Sequence, residues 1–217
     1  MNPRQELLTL FLEDHFEQMS CRQCDNTFLT NAFRIDCTQG DDAFSEKCKQ
    51  SKQLLCPQAA NDVPFVLLEK RSLGLEYYCD AMVKHSIKSA PYACRIGVLS
   101  EMDEVLPNDT IQLCTPEEPD YRVIYLMEHL EHLPDEDVAF FSDHIHGLDW
   151  QDEAVRLELI AWMTEKYGEQ LAEDIRLLCR YFREHEAFIS WDLHGDNLMR
   201  RPSTGELVIT DPYTVKM

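Results

Sequence analysis

The chain has 217 residues, 44% of them apolar, which is enough for one core or one two-lobed unit and excludes a disordered chain. Twenty Lys and Arg stand against forty Asp and Glu, a formal charge of −20. That balance argues against direct nucleic-acid binding, because it repels phosphate backbones, and leaves basic protein partners, nucleic-acid mimicry or simply a solvated acidic surface.

The first twenty residues carry Leu7, Leu8, Phe11, Leu12 and Phe16 at helical spacing and predict an amphipathic helix. The stretch has neither a basic start nor a small-residue cleavage site, so it does not read as a secretory signal. No apolar run approaches the roughly 18 residues of a membrane span. A cytoplasmic protein without membrane contact is therefore expected. The nine cysteines, an odd number, are then expected as reduced thiols, with Cys79, Cys94 and Cys179 in apolar settings.

Residues 21–62 are polar and have no clear period. "CRQC" at 21–24 has the spacing of a zinc half-site, and Cys37, Cys48, Cys56 and His15 are further candidate ligands. Cys37 and Cys48 lack the close spacing of a second half-site, so buried thiols are the favoured reading and zinc the alternative. "DVPFVLLEK" predicts a short buried strand through Leu68, and "GLEYYCDAMVKHSI", 74–87, a helix. "ACRIGVLS", 93–100, and "YRVIYLMEHL", 121–130, predict strands, with "PNDT", 107–110, as a turn between strand-like pieces. Residues 132–150 mix acids and aromatics and read as a connection with a helical turn or two. From 152 to 188 the pattern is helical, with Leu171, Ile175, Leu178 and Phe182 on one stripe, and Gly168 either divides the run or sits within it at a cost of about 1 kcal/mol.

The last section predicts a hairpin: Leu207–Thr210 against Asn197–Arg200 across a Pro202–Gly205 turn. That register brings Asn197 and Asp211 together at the open end, with Asp192 in the loop beside them. Converging oxygen groups are costly to bury alone, and a carboxylate with an amide oxygen suits a hard cation such as Mg²⁺.

The run "DLHGDN", Asp192–Asn197, followed by "ITDP", Ile209–Pro212, resembles the catalytic loop and metal-binding strand of the protein-kinase-like superfamily. From Trp191 to Tyr213 it is most similar to the early serine/threonine protein kinases of tailed phages. The resemblance implies an α+β, minimal two-lobed protein-kinase-like fold. A small antiparallel sheet would form the N-lobe, 1–130, which would carry a helical and Cys-containing extension, and a reduced helical C-lobe would cover 131–217. It implies ATP and Mg²⁺ as cofactors and Ser or Thr of proteins as acceptors, including host proteins in the host cytoplasm during infection. Asp192 would accept the hydroxyl proton, His194 would contact the transferred phosphoryl group, and Asn197 and Asp211 would hold Mg²⁺. "VIYLMEHL" resembles a hinge strand, with Met127 as gatekeeper and the backbone of Glu128 and Leu130 facing adenine. Lys70 would meet the phosphates and pair with Glu76 or Asp80.

The sequence departs from the family pattern in three places. Ser190 and Trp191 stand where His-Arg is usual. No G-x-G-x-x-G loop occurs, Gly40 is solitary, and 25–36 is the remaining candidate for a phosphate lid. The stretch after Asp211 is short, which fits a minimal kinase or a chain that has lost transfer. Two alternatives therefore stand beside an active protein kinase. One is an acidic pseudokinase that binds and inhibits a basic host protein. The other is a small-molecule phosphotransferase.

Overall fold

The computed structural model describes residues 2–13, 16–19, 30–35, 50–51, 53–57, 63–100, 102–106, 121–145 and 152–216. The candidate zinc ligands His15, Cys21, Cys24, Cys37 and Cys48, the solitary Gly40 and the 107–110 turn lie outside them. Cys56, Cys79, Cys94 and Cys179 are thiols rather than half-cystines. No helix among the described residues is long and apolar enough to cross a membrane.

The chain forms two compact units, residues 1–72 with 92–129, and residues 73–91 with 130–217. In the first unit, α1 (Pro3–Leu12) begins at Asn2, whose side chain accepts from the Arg4 N–H as an N-cap. A six-stranded antiparallel sheet follows, in the order β1 (Glu17–Met19), β2 (Thr30–Arg34), β3 (Phe65–Lys70), β6 (Tyr121–Glu128), β4 (Ala93–Ser100) and β5 (Val105–Leu106). β6 is central because Phe65–Lys70 pairs along one edge of it and Ala93–Ser100 along the other. The pleat sorts β3 into two faces. Phe65 and Leu67 join Leu7 and Leu8 of α1 in one core with Ile96, Leu99, Ile124 and Leu126. Val66, Leu68 and Lys70 take the other face. Glu69, on the α1 side, is buried and accepts from Arg122 at 2.5 Å, and Arg122 also pairs with Asp103.

The expected N-terminal helix thus stops at Leu12, and Glu17–Met19 pairs with Ala32–Arg34 instead. Phe16 still enters the core, but from outside the helix.

The second unit is built on helices. They are α2 (Gly74–His85), α3 (Asp135–Ile145), α4 (Glu153–Tyr167) and α5 (Glu169–Glu184). Gly168 separates α4 from α5 with φ of 92°, a conformation only glycine adopts readily. Within the region read as a connection with a helical turn or two, Asp135–Ile145 forms a three-turn helix, α3, in which Asp135, Glu136 and Asp137 occupy the first turn and favour the positive end of the helix dipole. α5 buries Leu171, Ile175, Leu178 and Phe182 together with Ala172, Cys179 and Tyr181.

Two small sheets complete the unit: β7 (Glu131–His132), β9 (Leu198–Arg200) and β10 (Leu207–Ile209) in one, β8 (Ile189–Trp191) and β11 (Tyr213–Val215) in the other. Residues 73–91, inside the stretch read from sequence as N-terminal lobe, cluster with this second unit. The Tyr78 hydroxyl donates to Ile209 O at 2.7 Å, and Tyr181 donates to Asp80 at 2.8 Å. The turn after α2 is held by Asp174, a buried carboxylate that accepts from Ser89 N at 2.6 Å, Lys88 N at 3.1 Å and Gln170 Nε2 at 3.1 Å. Ser89 O in turn accepts from Ile209 N at 2.8 Å, and Ala90 O from Arg201 at 2.9 Å.

Candidate active site

The hairpin forms in the expected register, with Leu207 opposite Arg200, Val208 opposite Met199 and Ile209 opposite Leu198. Its open end continues one step further, because Thr210 N donates to Asn197 O at 2.9 Å. A second ladder lies just outside it, with Trp191 opposite Tyr213. Asp192 N extends this ladder to Pro212 O at 2.9 Å. The two ladders therefore bracket two short stretches, 192–197 and 210–212, and hold them side by side. Asp192 and Asn197, at the two ends of the first stretch, and Asp211, in the second, are thereby brought into neighbouring main-chain positions.

The loop itself is ordered from within. Leu193 is fully buried, while Asp192 and His194 on either side are half-buried. A 3₁₀ turn follows over Gly195–Asn197, closed by Asn197 N to His194 O at 3.0 Å. The buried Asn197 points its Nδ2 inward, donating to Asp192 O at 2.9 Å and lying 3.1 Å from His194 Nε2. With its amino end committed to the loop, the amide presents its oxygen as the acceptor end. Asp211 is half-buried, and its Oδ1 is shielded from solvent.

His194 turns its ring onto the same turn, with Nδ1 3.3 Å from Asp196 N and 3.6 Å from the Asp196 carboxylate. Both ring nitrogens face groups of the loop, so in this structure the imidazole braces the turn.

Two supports were not legible in the motif. Gly195 lies directly against α3: its N–H donates to Ser142 Oγ at 2.9 Å. A Cβ there would fall inside the contact radius of the Val138 carbonyl oxygen and 2.8 Å from Ser142 Oγ. The other support is aromatic. Trp191 meets Phe182 of α5 at 5.9 Å and Tyr213 at 6.1 Å between ring centres, both edge-on. Tyr213 also anchors the outer ladder to α5 through its hydroxyl, which donates to Leu178 O at 2.8 Å. Burial raises the phenol of Tyr78 well above its ordinary value, with Cys79, Asp174 and Asp211 pushing the same way. Burial likewise raises Tyr213. Both phenols are therefore fixed as neutral hydrogen-bond donors at physiological pH.

The donor set suits a hard cation. Asn197 and Asp211 offer an amide and a carboxylate oxygen, and Mg²⁺ takes one or two protein groups of that kind and completes its shell with water and phosphate. Among the described residues no group of three or more His, Cys, Asp or Glu side chains is disposed to hold a metal, and an amide–carboxylate pair does not require one.

The remaining expected residues lie elsewhere. Lys70 ends β3, half-buried, opposite Thr30 and Val123. Glu76 is in the first turn of α2 and belongs to the second unit, whereas Lys70 belongs to the first. Met127 is buried in β6, opposite Val66 and Ala93. Glu128 is 1% exposed. Its N–H donates to Tyr92 O at 2.9 Å and its carboxylate accepts from Tyr92 N at 2.9 Å, so the side chain pins the start of β4 to the end of β6. Leu130 is the first residue of the second unit after the sheet and packs with Met199 and Val208.

Compared with protein-family models and with curated proteins, the chain matches none.

Proposed function

We propose that this chain is an ATP- and Mg²⁺-dependent phosphotransferase acting on Ser or Thr hydroxyls of proteins. The observation that supports the proposal is that two ladders hold the stretches carrying Asp192, Asn197 and Asp211 side by side, through Asp192 N to Pro212 O, Thr210 N to Asn197 O and Asn197 Nδ2 to Asp192 O, each at 2.9 Å. Such transfer needs little covalent work from the protein; it needs an acceptor hydroxyl, a phosphate and a cation held in line. Asp192 takes the proton of the attacking hydroxyl as the new O–P bond forms and the bond from the γ-phosphorus to the leaving diphosphate breaks. Asn197 and Asp211 would hold Mg²⁺, which would neutralise phosphate charge. His194 braces the turn that carries both Asp192 and Asn197.

The roles of Lys70, Glu76, Met127, Glu128 and Leu130 toward ATP rest on the motif resemblance alone. So does the assignment of host proteins as acceptors.

The test is incubation with γ-labelled ATP and Mg²⁺, with a bacterial lysate in one arm and an aminoglycoside in the other. Label on serine or threonine of lysate proteins, lost with EDTA and in Asp192→Asn, supports the proposal. Label on the aminoglycoside alone indicates a small-molecule enzyme. Tight, salt-sensitive capture of a basic protein with no transfer in either arm indicates an inhibitory pseudokinase.

A further inference from the structure

A cavity of about 630 Å³ opens between α4 and α5, and it shares no residue with the 192–211 site. Its volume lies within the range of ligand pockets, and it is open to solvent along one side. Four arginines line it: Arg156 from α4, and Arg176, Arg180 and Arg183 from α5. These are four of only twenty basic residues in a chain of net charge −20. The three on α5 recur at i, i+4 and i+7, so they form one stripe, and that stripe lies away from the buried Leu171, Ile175, Leu178 and Phe182. Favourable placement near the negative end of α5 accounts for Arg183. Arg156 comes from the other helix.

Three glutamates line the cavity beside the arginines, Glu153, Glu184 and Glu186. Glu173 holds Arg176 through two hydrogen bonds, Nε at 2.7 Å and Nη2 at 2.5 Å. Lys84 holds Glu184 at 2.7 Å. Arg180 and Arg183 enter neither pair and are exposed. Beside them Leu157 is 64% exposed, an apolar step next to a cationic one.

We infer that this groove binds a phosphorylated segment of a partner protein, with the phosphate on Arg180, Arg183 and Arg156 and an apolar neighbour on Leu157. The choice of cation supports phosphate, since every basic lining residue is Arg, whose planar fork grips phosphate oxygens in pairs, and none is Lys. Total charge supports a compact anion. A long polyacidic segment or a nucleic acid would meet repulsion from the rest of the −20 surface. A single dianion keeps its charge within a Debye length of the arginines.

The test is fluorescence anisotropy of a short labelled peptide carrying one phosphoserine beside a leucine. It is measured on the full chain with Asp192→Asn, so that transfer cannot alter the peptide and the outcome does not depend on the phosphotransfer reading. The phosphopeptide is expected to bind at least about tenfold more tightly than the unphosphorylated peptide and than a serine-to-glutamate version. Arg180→Ala with Arg183→Ala should remove that difference, while Arg34→Ala, on the first unit, should leave it. Excess inorganic phosphate should compete. Equal affinity for the phosphorylated and unphosphorylated peptides, no effect of the arginine pair, or preference for a single-stranded oligonucleotide or for the glutamate peptide would overturn the inference.

Discussion

Replacing Gly195 by Ala tests whether contact with α3 positions the loop that carries Asp192 and Asn197. The backbone at Gly195 lies outside the left-handed region, so alanine brings no conformational strain there. By restricting the unfolded chain it would by itself stabilise by about 0.4–1 kcal/mol. The added methyl, however, overlaps the Val138 carbonyl oxygen, a backbone atom fixed within α3, and approaches Ser142 Oγ to 2.8 Å. An ordinary carbon–oxygen contact is about 3.3 Å or more, so the loop must retreat by about 1 Å. Overpacking of this kind costs about 1–3 kcal/mol. The same retreat breaks the 2.9 Å bond from Gly195 N to Ser142 Oγ. A displacement of about 1 Å at a reacting centre is worth about a hundredfold in rate. Ser142→Ala provides the comparison, since it removes the hydrogen bond and leaves room for the loop. Its expected cost is about 1 kcal/mol, with a smaller loss of transfer. Urea unfolding and initial rates of label transfer measure both quantities. Gly195→Ala with wild-type stability and wild-type rate would refute the claim that the close contact with α3 sets the loop.

Asp174→Ala should lower the urea midpoint by the equivalent of about 2–3 kcal/mol, because the buried Ser89 N–H and the part-buried Lys88 N–H lose their acceptor. Asp174→Asn, which keeps one oxygen, should lose less. A second prediction concerns alkaline pH. Burial raises the phenol pKa of Tyr78 and Tyr213 in the fold, so the folded chain keeps these protons after the unfolded chain has released them. The resulting stability is complete below the unfolded value of about 10 and is lost as pH rises above it. Tyrosinate absorbance from these two residues should appear only as the chain unfolds, and Tyr78→Phe with Tyr213→Phe should flatten the fall in stability above pH ~10. Normal titration of both phenols in the folded chain would contradict it.

The parts of the fold that could be read in the sequence are those set by local pattern. The stripe at Leu171, Ile175, Leu178 and Phe182 identified α5, and Gly168 divides the run, which was one of its two readings. The hairpin register followed from two short apolar runs around Pro202–Gly205, and it placed Asn197 opposite Thr210. What was missed depended on long-range partners. Glu17–Met19 becomes a strand because Ala32–Arg34 pairs with it, and nothing in its own pattern says so. Helix α2 groups with the second unit through Tyr78 to Ile209 and Tyr181 to Asp80, contacts that span 131 and 101 residues of sequence. Asp135, Glu136 and Asp137 looked like a solvated connection, whereas at a helix start they are the expected charges. Within the site, Asp192, Asn197 and Asp211 were visible as a motif. Ser142 and the aromatic support of Trp191 were not, since a serine on an acidic helix and a Tyr213 after a proline carry no signal of their own.

The most direct test separates holding the nucleotide from transferring its phosphate. Magnesium-dependent ATP binding by calorimetry and label transfer to lysate proteins are measured together on the wild type, Asp192→Ala and Asp211→Ala. The expected result is binding and transfer in the wild type, binding without transfer in Asp192→Ala, and loss of both in Asp211→Ala. Equal labelling by all three chains would contradict the assignment of these carboxylates to phosphoryl transfer.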